Sequence, residues 1–363
     1  MSTLTIHTQR ILDNVSKLDA YLSRQHIKWT LVTKILCGYK PALEKILSSP
    51  LVQNLHSVGD SRITNLKIIK SINPDIVTMY IKPPALNQVK KVVSCADISL
   101  NTSYRTISAL NEEAGKQGKI HKIIVMLEMG ELREGIAREN VLDFYEKSFS
   151  LPHIQIIGLG TNLGCMHGVE PTFDKLIQLT LFKQLLEAKF NQKLEVLSGG
   201  SSITLPILTR KRVPREVNHF RIGETAFLGN DLLNGKRFRK LSTSAFDFSA
   251  VILELKKKAS VPEGKISDAA VGHTADTEEQ DSDTALQKSY RSIMDFGELD
   301  VDVKGLSPRD KTVEFAGTTS DMTVYDIGET KSKYRVGSKI HFKPNYIAIA
   351  RIMNSRYITK KVV

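Results

Sequence analysis

Between residues 13 and 240, short apolar runs alternate with stretches of helical periodicity, and that alternation limits the fold more than any other feature of the chain. Runs at 29–32, 55–58, 75–81, 97–100, 123–127, 154–159, 194–197 and 218–222 read as strands. Stretches 13–23, 41–47, 61–69 and 103–117 read as helices, with Ser61 placed to cap the third. Run 123–127 is apolar throughout, as a strand buried on both faces must be. Strands joined through helices pair in parallel. About eight such units in about 240 residues predict an α/β chain closed into a (β/α)8 TIM barrel, with its working residues at the strand carboxyl ends.

Past residue 240 the pattern changes. Runs 246–255, 311–315, 322–327 and 339–342 alternate or are rich in β-branched and aromatic residues, with glycine turns between them. The expected division is a barrel over 1–240 and a smaller, mainly β domain over 241–363. Residues 265–287 are poor in large apolar side chains and rich in Asp, Glu, Ser and Thr, so they read as a long exposed loop.

The net charge of +12 raises the question of a nucleic-acid partner. Its densest runs, 210–212, 236–240 and 256–258, are short and lack interleaved aromatics, so they read as solvated loops and no nucleic acid is expected. Apolar runs are too short to span a bilayer, and the opening residues lack a signal-peptide pattern. Cys37, Cys95 and Cys165 are odd in number and widely spaced. They point to reduced thiols in a cytoplasm and not to a zinc site, and Cys95 reads as core.

Polar and glycine-containing segments fall where strands end. Trp29 to Val32 delivers Lys34 to such an end, and Cys37-Gly38 then turns the chain. An amine there must be paired, covalently used or led out to solvent along its stem. Ser198-Gly199-Gly200-Ser201-Ser202 and Arg221-Ile222-Gly223-Glu224 follow late strands, where small residues free backbone amides for an anion. Either glycine segment alone is ordinary turn chemistry. A lysine on an early strand together with both suggests pyridoxal phosphate, held covalently by Lys34 and electrostatically by the late segments.

The ordered set of motifs is more specific than its members. Val32-Thr33-Lys34-Ile35-Leu36-Cys37-Gly38, Gly59-Asp60-Ser61-Arg62, Glu128-Met129-Gly130-Glu131-Leu132-Arg133-Glu134-Gly135 and Gly160-Thr161-Asn162-Leu163-Gly164-Cys165 precede the two late segments. Asp295-Phe296-Gly297, Ser320-Asp321-Met322 and Asn345-Tyr346 follow in the second domain. Over nearly its whole length the chain resembles the fold-type III pyridoxal-phosphate racemases, most closely the alanine/ornithine racemase family.

That resemblance implies an amino-acid racemase working by α-proton abstraction and return. Lys34 carries the cofactor and serves as one acid/base group. Arg221 faces the pyridine nitrogen and, being unable to release its proton, leaves that nitrogen unprotonated. Ser201, Ser202, the amides of Gly223 and Glu224, and Tyr346 hold the phosphate. Arg133 stands near the phenolic oxygen or the substrate carboxylate, and Asn162 on one face of the ring. Alanine racemases have a histidine at the position of Asn162 and a lysine at that of Met126, and their opposite-face tyrosine has no counterpart in 258–273. The second base is therefore open among Cys165, His167, Asp268 and Tyr290, each of which also reads as an ordinary core or surface residue.

The family forms homodimers in which the second domain of one subunit covers the barrel of the other, and the same is expected here. A cationic substrate such as ornithine or lysine needs a carboxylate, for which Glu131, Glu134, Asp60 and Asp321 are available. Two readings compete: a non-catalytic pyridoxal-phosphate homeostasis protein, which lacks a second domain, and a fold-type III decarboxylase, whose cysteine-aspartate motif near the carboxyl terminus is missing here.

Overall fold

The computed structural model describes residues 2–259, 262–265, 272–275, 288–329 and 333–363. The chain forms two compact units, Gln9–Thr243 and Met1–Thr8 with Ser244–Val363. The opening strand β1 (Thr3–Ile6) thus belongs with the carboxyl-terminal unit, where it pairs with the strands Phe246–Ala259 and Thr359–Val362. The sequence reading had placed these residues at the start of the barrel.

Eight parallel strands close the larger unit into a barrel: β2 (Lys28–Val32), β3 (Ser57–Asp60), β4 (Thr78–Tyr80), β5 (Ile98–Asn101), β6 (His121–Met126), β7 (Ile154–Gly160), β8 (Val196–Ser201) and β9 (His219–Ile222). Helices such as Thr8–Ser23, Tyr104–Lys116 and Phe173–Phe190 alternate with them. The strands are short and almost wholly buried because both faces are covered. Met79, Ile98, Leu100, Ile124, Met126, Ile157 and Val196 pack together as one core cluster. Met126 is fully buried in that apolar core.

Two local expectations change. The third helix is Ile63–Ile72, and Ser61 does not cap it; Arg62 occupies the cap position without a side-chain bond. Asp60 instead accepts from the Arg62 amide at 2.9 Å and from Asn65 Nδ2 at 3.1 Å, which holds the turn. The segment beginning at Ser198 is not a loop either. β8 continues through Ser201, with a bulge between Ser198 and Gly200. Gly200 is required there, since a Cβ would come within 2.2 Å of the Phe220 ring on β9.

Among the described residues the smaller unit forms a nine-stranded sheet whose longest member, Phe246–Ala259, shifts register between Ile252 and Glu254. Its first half pairs with β1 and Lys339–Pro344, and its second half with Lys288–Met294. Phe248, Phe296, Tyr325 and Phe342 interlock as tilted and edge-to-face rings, the geometry their quadrupoles favour. Within the expected loop, His273–Thr274 forms a short strand against Thr318 and Gly317. Residues 266–271 and 276–287, Asp268 among them, lie outside the described residues. Among the described residues no helix is long and apolar enough to cross a membrane.

Candidate active site

Lys34 opens a single 3-10 turn, Lys34–Leu36, directly after β2. The turn is anchored from both sides. Thr33 donates its amide to Gly59 O at 2.9 Å, and Ile35 and Leu36 are buried. Cys37 and Gly38 then take left-handed backbone, and at Gly38 a Cβ would meet Asn65 Oδ1 at 2.6 Å. The lysine stem is exposed at the strand's carboxyl end. Its charge is felt by Glu224: burial raises that carboxyl above its ordinary range, and Lys34 pulls it back.

Two loops stand above the far side of the barrel. The first, after β6, folds back so that Glu128 N donates to Ile136 O at 3.0 Å and Ile136 N to Met126 O at 2.8 Å. Gly135 permits this closure; at φ +149° its Cβ would lie 2.3 Å from Glu128 N. The second loop follows β7. It is organised by Glu131, 1% exposed, whose carboxylate accepts from the amides of Gly164, Cys165, Met166, His167 and Val169. Burial alone would raise the Glu131 carboxyl, yet the amides of His167, Cys165, Met166 and Gly164 together bring it below its usual range.

Glu134 joins the loops. Both Nε and an Nη of Arg133 donate to its carboxylate, and Asn162 Nδ2 donates to it at 3.1 Å. Asn162 Nδ2 also lies 3.4 Å from Cys165 Sγ. Of the four carboxylates considered for a cationic side chain, Glu131 and Asp60 are spent on backbone amides and on Asn65, and Asp321 is exposed in the smaller unit beside Thr319 and Ser320. Glu134 is engaged too, ion-paired with Arg133 and accepting from Asn162, but on side chains of the candidate site itself.

Arg221, on β9 next to β2, is 7% exposed. Its guanidinium donates to Ser198 Oγ, to Ser198 O at 3.3 Å and to Thr161 O at 2.7 Å. Among the described residues no carboxylate is within ion-pairing distance of it. Burial lowers it to about 10, with Glu134 opposing and Arg133 reinforcing the shift. A buried cation held only by neutral oxygens is a costly arrangement for a fold to keep without a partner.

Beyond Arg221 the chain turns at Gly223 into the short helix Glu224–Leu228. Thr225 N donates to Ser202 Oγ at 3.2 Å, while the amides of Gly223 and Glu224 meet no acceptor among the described residues. The Ser202 hydroxyl proton is likewise unspent. Ser201 is turned to a structural task, closing a reciprocal cap with Thr204. The donors at Ser202, Gly223 and Glu224, the unpaired guanidinium and the Lys34 amine make a set suited to an anionic, carbonyl-bearing group of the pyridoxal phosphate kind.

The barrel therefore brings together Lys34, Arg133, Asn162, Cys165, Ser202, Arg221, Gly223 and Glu224. His167 is exposed on the same loop as Cys165, its amide tied to Glu131. Tyr290 and Tyr346 lie in the smaller unit, half-buried, on the strand Lys288–Met294 and at the start of the helix Tyr346–Asn354. Sequence reasoning missed Ser198 and His219 as the groups behind Arg221. Alternation along β9 was the available signal, because His219 and Arg221 are two apart and so share a face.

The family model described as Alanine racemase, N-terminal domain, matches residues 6–231. The ornithine racemase of Acetoanaerobium sticklandii is 31% identical over 366 residues, covering 99% of this chain and 99% of that one. The lysine racemase of Thermotoga maritima is 30% identical over 357 residues, covering 98% and 97%. Among solved structures, alanine racemase from Streptomyces coelicolor A3(2) superposes with a TM-score of 0.73 at 13% identity, covering 100% of this chain and 98% of that one. Alanine racemase from Bartonella henselae with covalently bound pyridoxal phosphate gives 0.71 at 15%, covering 100% and 99%. The chain belongs to the alanine racemase N-terminal domain family.

Proposed function

We propose that this chain is a pyridoxal-phosphate-dependent amino-acid racemase acting on ornithine, lysine or a related cationic amino acid. The observation that carries the reading is the pairing of β2 with β9, which sets Thr30 opposite Arg221. It places the Lys34 turn and the buried, carboxylate-free guanidinium at adjacent strand ends. Bound pyridoxal phosphate supplies a carbonyl for capture by an amine and a ring that withdraws charge from the substrate's α-carbon. Lys34 Nζ then carries a proton to or from that carbon. Arg221 would face the ring nitrogen and, keeping its own protons, would leave that nitrogen unprotonated. Ser202, with the Gly223 and Glu224 amides, takes the phosphate. Arg133 and Asn162 line the opposite side, and Tyr346 is assigned to the phosphate as well. The second proton carrier is sought first at Cys165, which shares Asn162 with Glu134.

The substrate class is drawn from the two whole-length relatives; Glu134, already paired with Arg133, is proposed as the carboxylate that exchanges this partner for a side-chain ammonium. The active unit is a homodimer: Leu132 and Met166, 71% and 55% exposed, stand on the two loops beside the site, where a second subunit would cover them. Three free thiols fit a cytoplasmic, reducing compartment.

The test is chiral chromatography of a panel of L-amino acids after incubation with the loaded enzyme. Ornithine or lysine is expected to approach an equal mixture of enantiomers at least about tenfold faster than alanine, the scale of one lost charged contact. Alanine turning over fastest would overturn the substrate class, and no enantiomer formed from any member of the panel would overturn the racemase reading.

A further inference from the structure

Behind Arg221 the barrel interior holds a row of uncharged polar side chains. Arg221 donates to Ser198 Oγ, which lies 2.8 Å from His219 Nδ1. His219 Nε2 lies 3.0 Å from Thr30 Oγ1, and Thr30 Oγ1 lies 2.7 Å from Ser57 Oγ. A longer link of 3.4 Å joins Ser57 Oγ to His56 Nδ1. Strand register builds the row: Ser198 is opposite His219, and Thr30 is opposite both Arg221 and Ser57. Ser198, His219, Thr30 and Ser57 are at most 2% exposed, so each has to satisfy its hydrogen-bonding groups inside the barrel, in the row itself or, for Thr30 Oγ1, also at Met79 Sδ 3.6 Å away.

The guanidinium fixes the direction of the bonds. It has only donors, so Ser198 Oγ accepts from it. The Ser198 hydroxyl has one proton, and His219 Nδ1 is the acceptor within reach. Nδ1 must then be bare, which puts the ring proton on Nε2, facing Thr30. The opposite tautomer would point two donors at Ser198 Oγ and strand the hydroxyl proton, at the cost of a buried unsatisfied group.

We propose that His219 is a positioning residue for Arg221: its ring, bare at Nδ1 and protonated at Nε2, draws the Ser198 hydroxyl proton away so that Ser198 presents only lone pairs to the guanidinium. The assignment of Arg221 to the cofactor ring rests on the proposed function; the relay itself rests on geometry alone. Neutrality of the ring agrees with its surroundings. Burial first, then His56, Arg221 and Lys28, hold His219 well below the ordinary histidine range. The His56 ring, itself lowered to about 4 by burial and by Lys28 and Lys122, packs against it edge-on at 4.5 Å between centroids. An imidazolium at His219 would also sit beside the Arg221 charge with Ser198 between them.

Two measurements test the proposal. The first is ring-15N NMR of histidine-labelled holoenzyme, with the His219 signals assigned by their loss in His219→Asn. The Nε2–H tautomer is expected; an Nδ1–H tautomer or a charged ring would overturn the proposal, and neither result depends on racemase activity. The second compares two amide replacements. His219→Asn sets an amide oxygen near the Nδ1 position and keeps the acceptor for Ser198. His219→Gln sets its amide nitrogen near Nε2 and loses that acceptor, although it fills the space better. If His219 acts through Ser198, Asn keeps the wild-type absorbance of the bound cofactor and stays within about threefold of its kcat, whereas Gln shifts the absorbance and lowers kcat at least about tenfold with KM little changed. Gln equal to Asn, or better, would show a space-filling role and defeat the proposal.

Discussion

Two buried charges show how single residues shape this site. Arg221 is held by a hydroxyl and two carbonyl oxygens and is left with donors to spend. Glu131 is the reverse case, with its charge consumed by backbone amides of the loop that carries Cys165 and His167. Removing it strands those amides, each worth about 1 kcal/mol or more when unpaired, so Glu131→Ala should cost the barrel at least about 3 kcal/mol. Because the folded carboxyl lies below its usual value, this stabilisation is complete above about pH 4.3, the ordinary glutamate pKa, and is lost as the pH falls from there through the folded value. Hydrogen-exchange protection at Gly164, Cys165, Met166, His167 and Val169 is therefore expected to hold from pH 7 to about 5, to drop on further acidification, and to be low at every pH in Glu131→Ala. Unchanged protection in that variant would mean the loop is held by something else.

At the scale of elements, most of the barrel was legible because a parallel strand is an uninterrupted apolar run, and each run falls on an observed strand to within a few residues. Three failures have separate physical causes. β8 extends through Ser201 because small residues in a strand are needed where a neighbour crowds it, and at Gly200 the neighbour is Phe220 on another strand. β1 finds its partners at Phe246–Ala259 and Thr359–Val362, so nothing local could assign it to the smaller unit. The helix expected from Ser61 begins at Ile63 because Asp60, bonded to Arg62 N and Asn65, outcompetes the serine for the turn. The positions of candidate residues were legible where a strand run ends, as with Lys34 just after β2 and Arg221 on β9 beside Gly223. The surroundings were illegible where they depend on what lies across the barrel, as with Ser198 and His219 behind Arg221 and the amides gathered by Glu131.

At the scale of the whole molecule, the residues that the proposed scheme assigns to the cofactor are Lys34 and Arg221 in the larger unit and Tyr346 in the smaller one. Leu132 is exposed and has φ +52°, a backbone state that aspartate tolerates better than leucine. Leu132→Asp should thus fold normally while disfavouring burial against a second subunit. Sedimentation equilibrium should give about twice the chain mass of 40.6 kDa for the native protein and a shift toward the single mass, with loss of turnover, for the variant. Full activity in a demonstrated monomer would remove the composite site. The central claim, that Lys34 carries pyridoxal phosphate in the barrel, is tested most directly by reducing the loaded protein with borohydride, digesting it and mapping the modified peptide by mass spectrometry. The account predicts that the phosphopyridoxyl group sits on Lys34 and that Lys34→Ala takes up no label; modification of a different lysine, with Lys34 untouched, would contradict it.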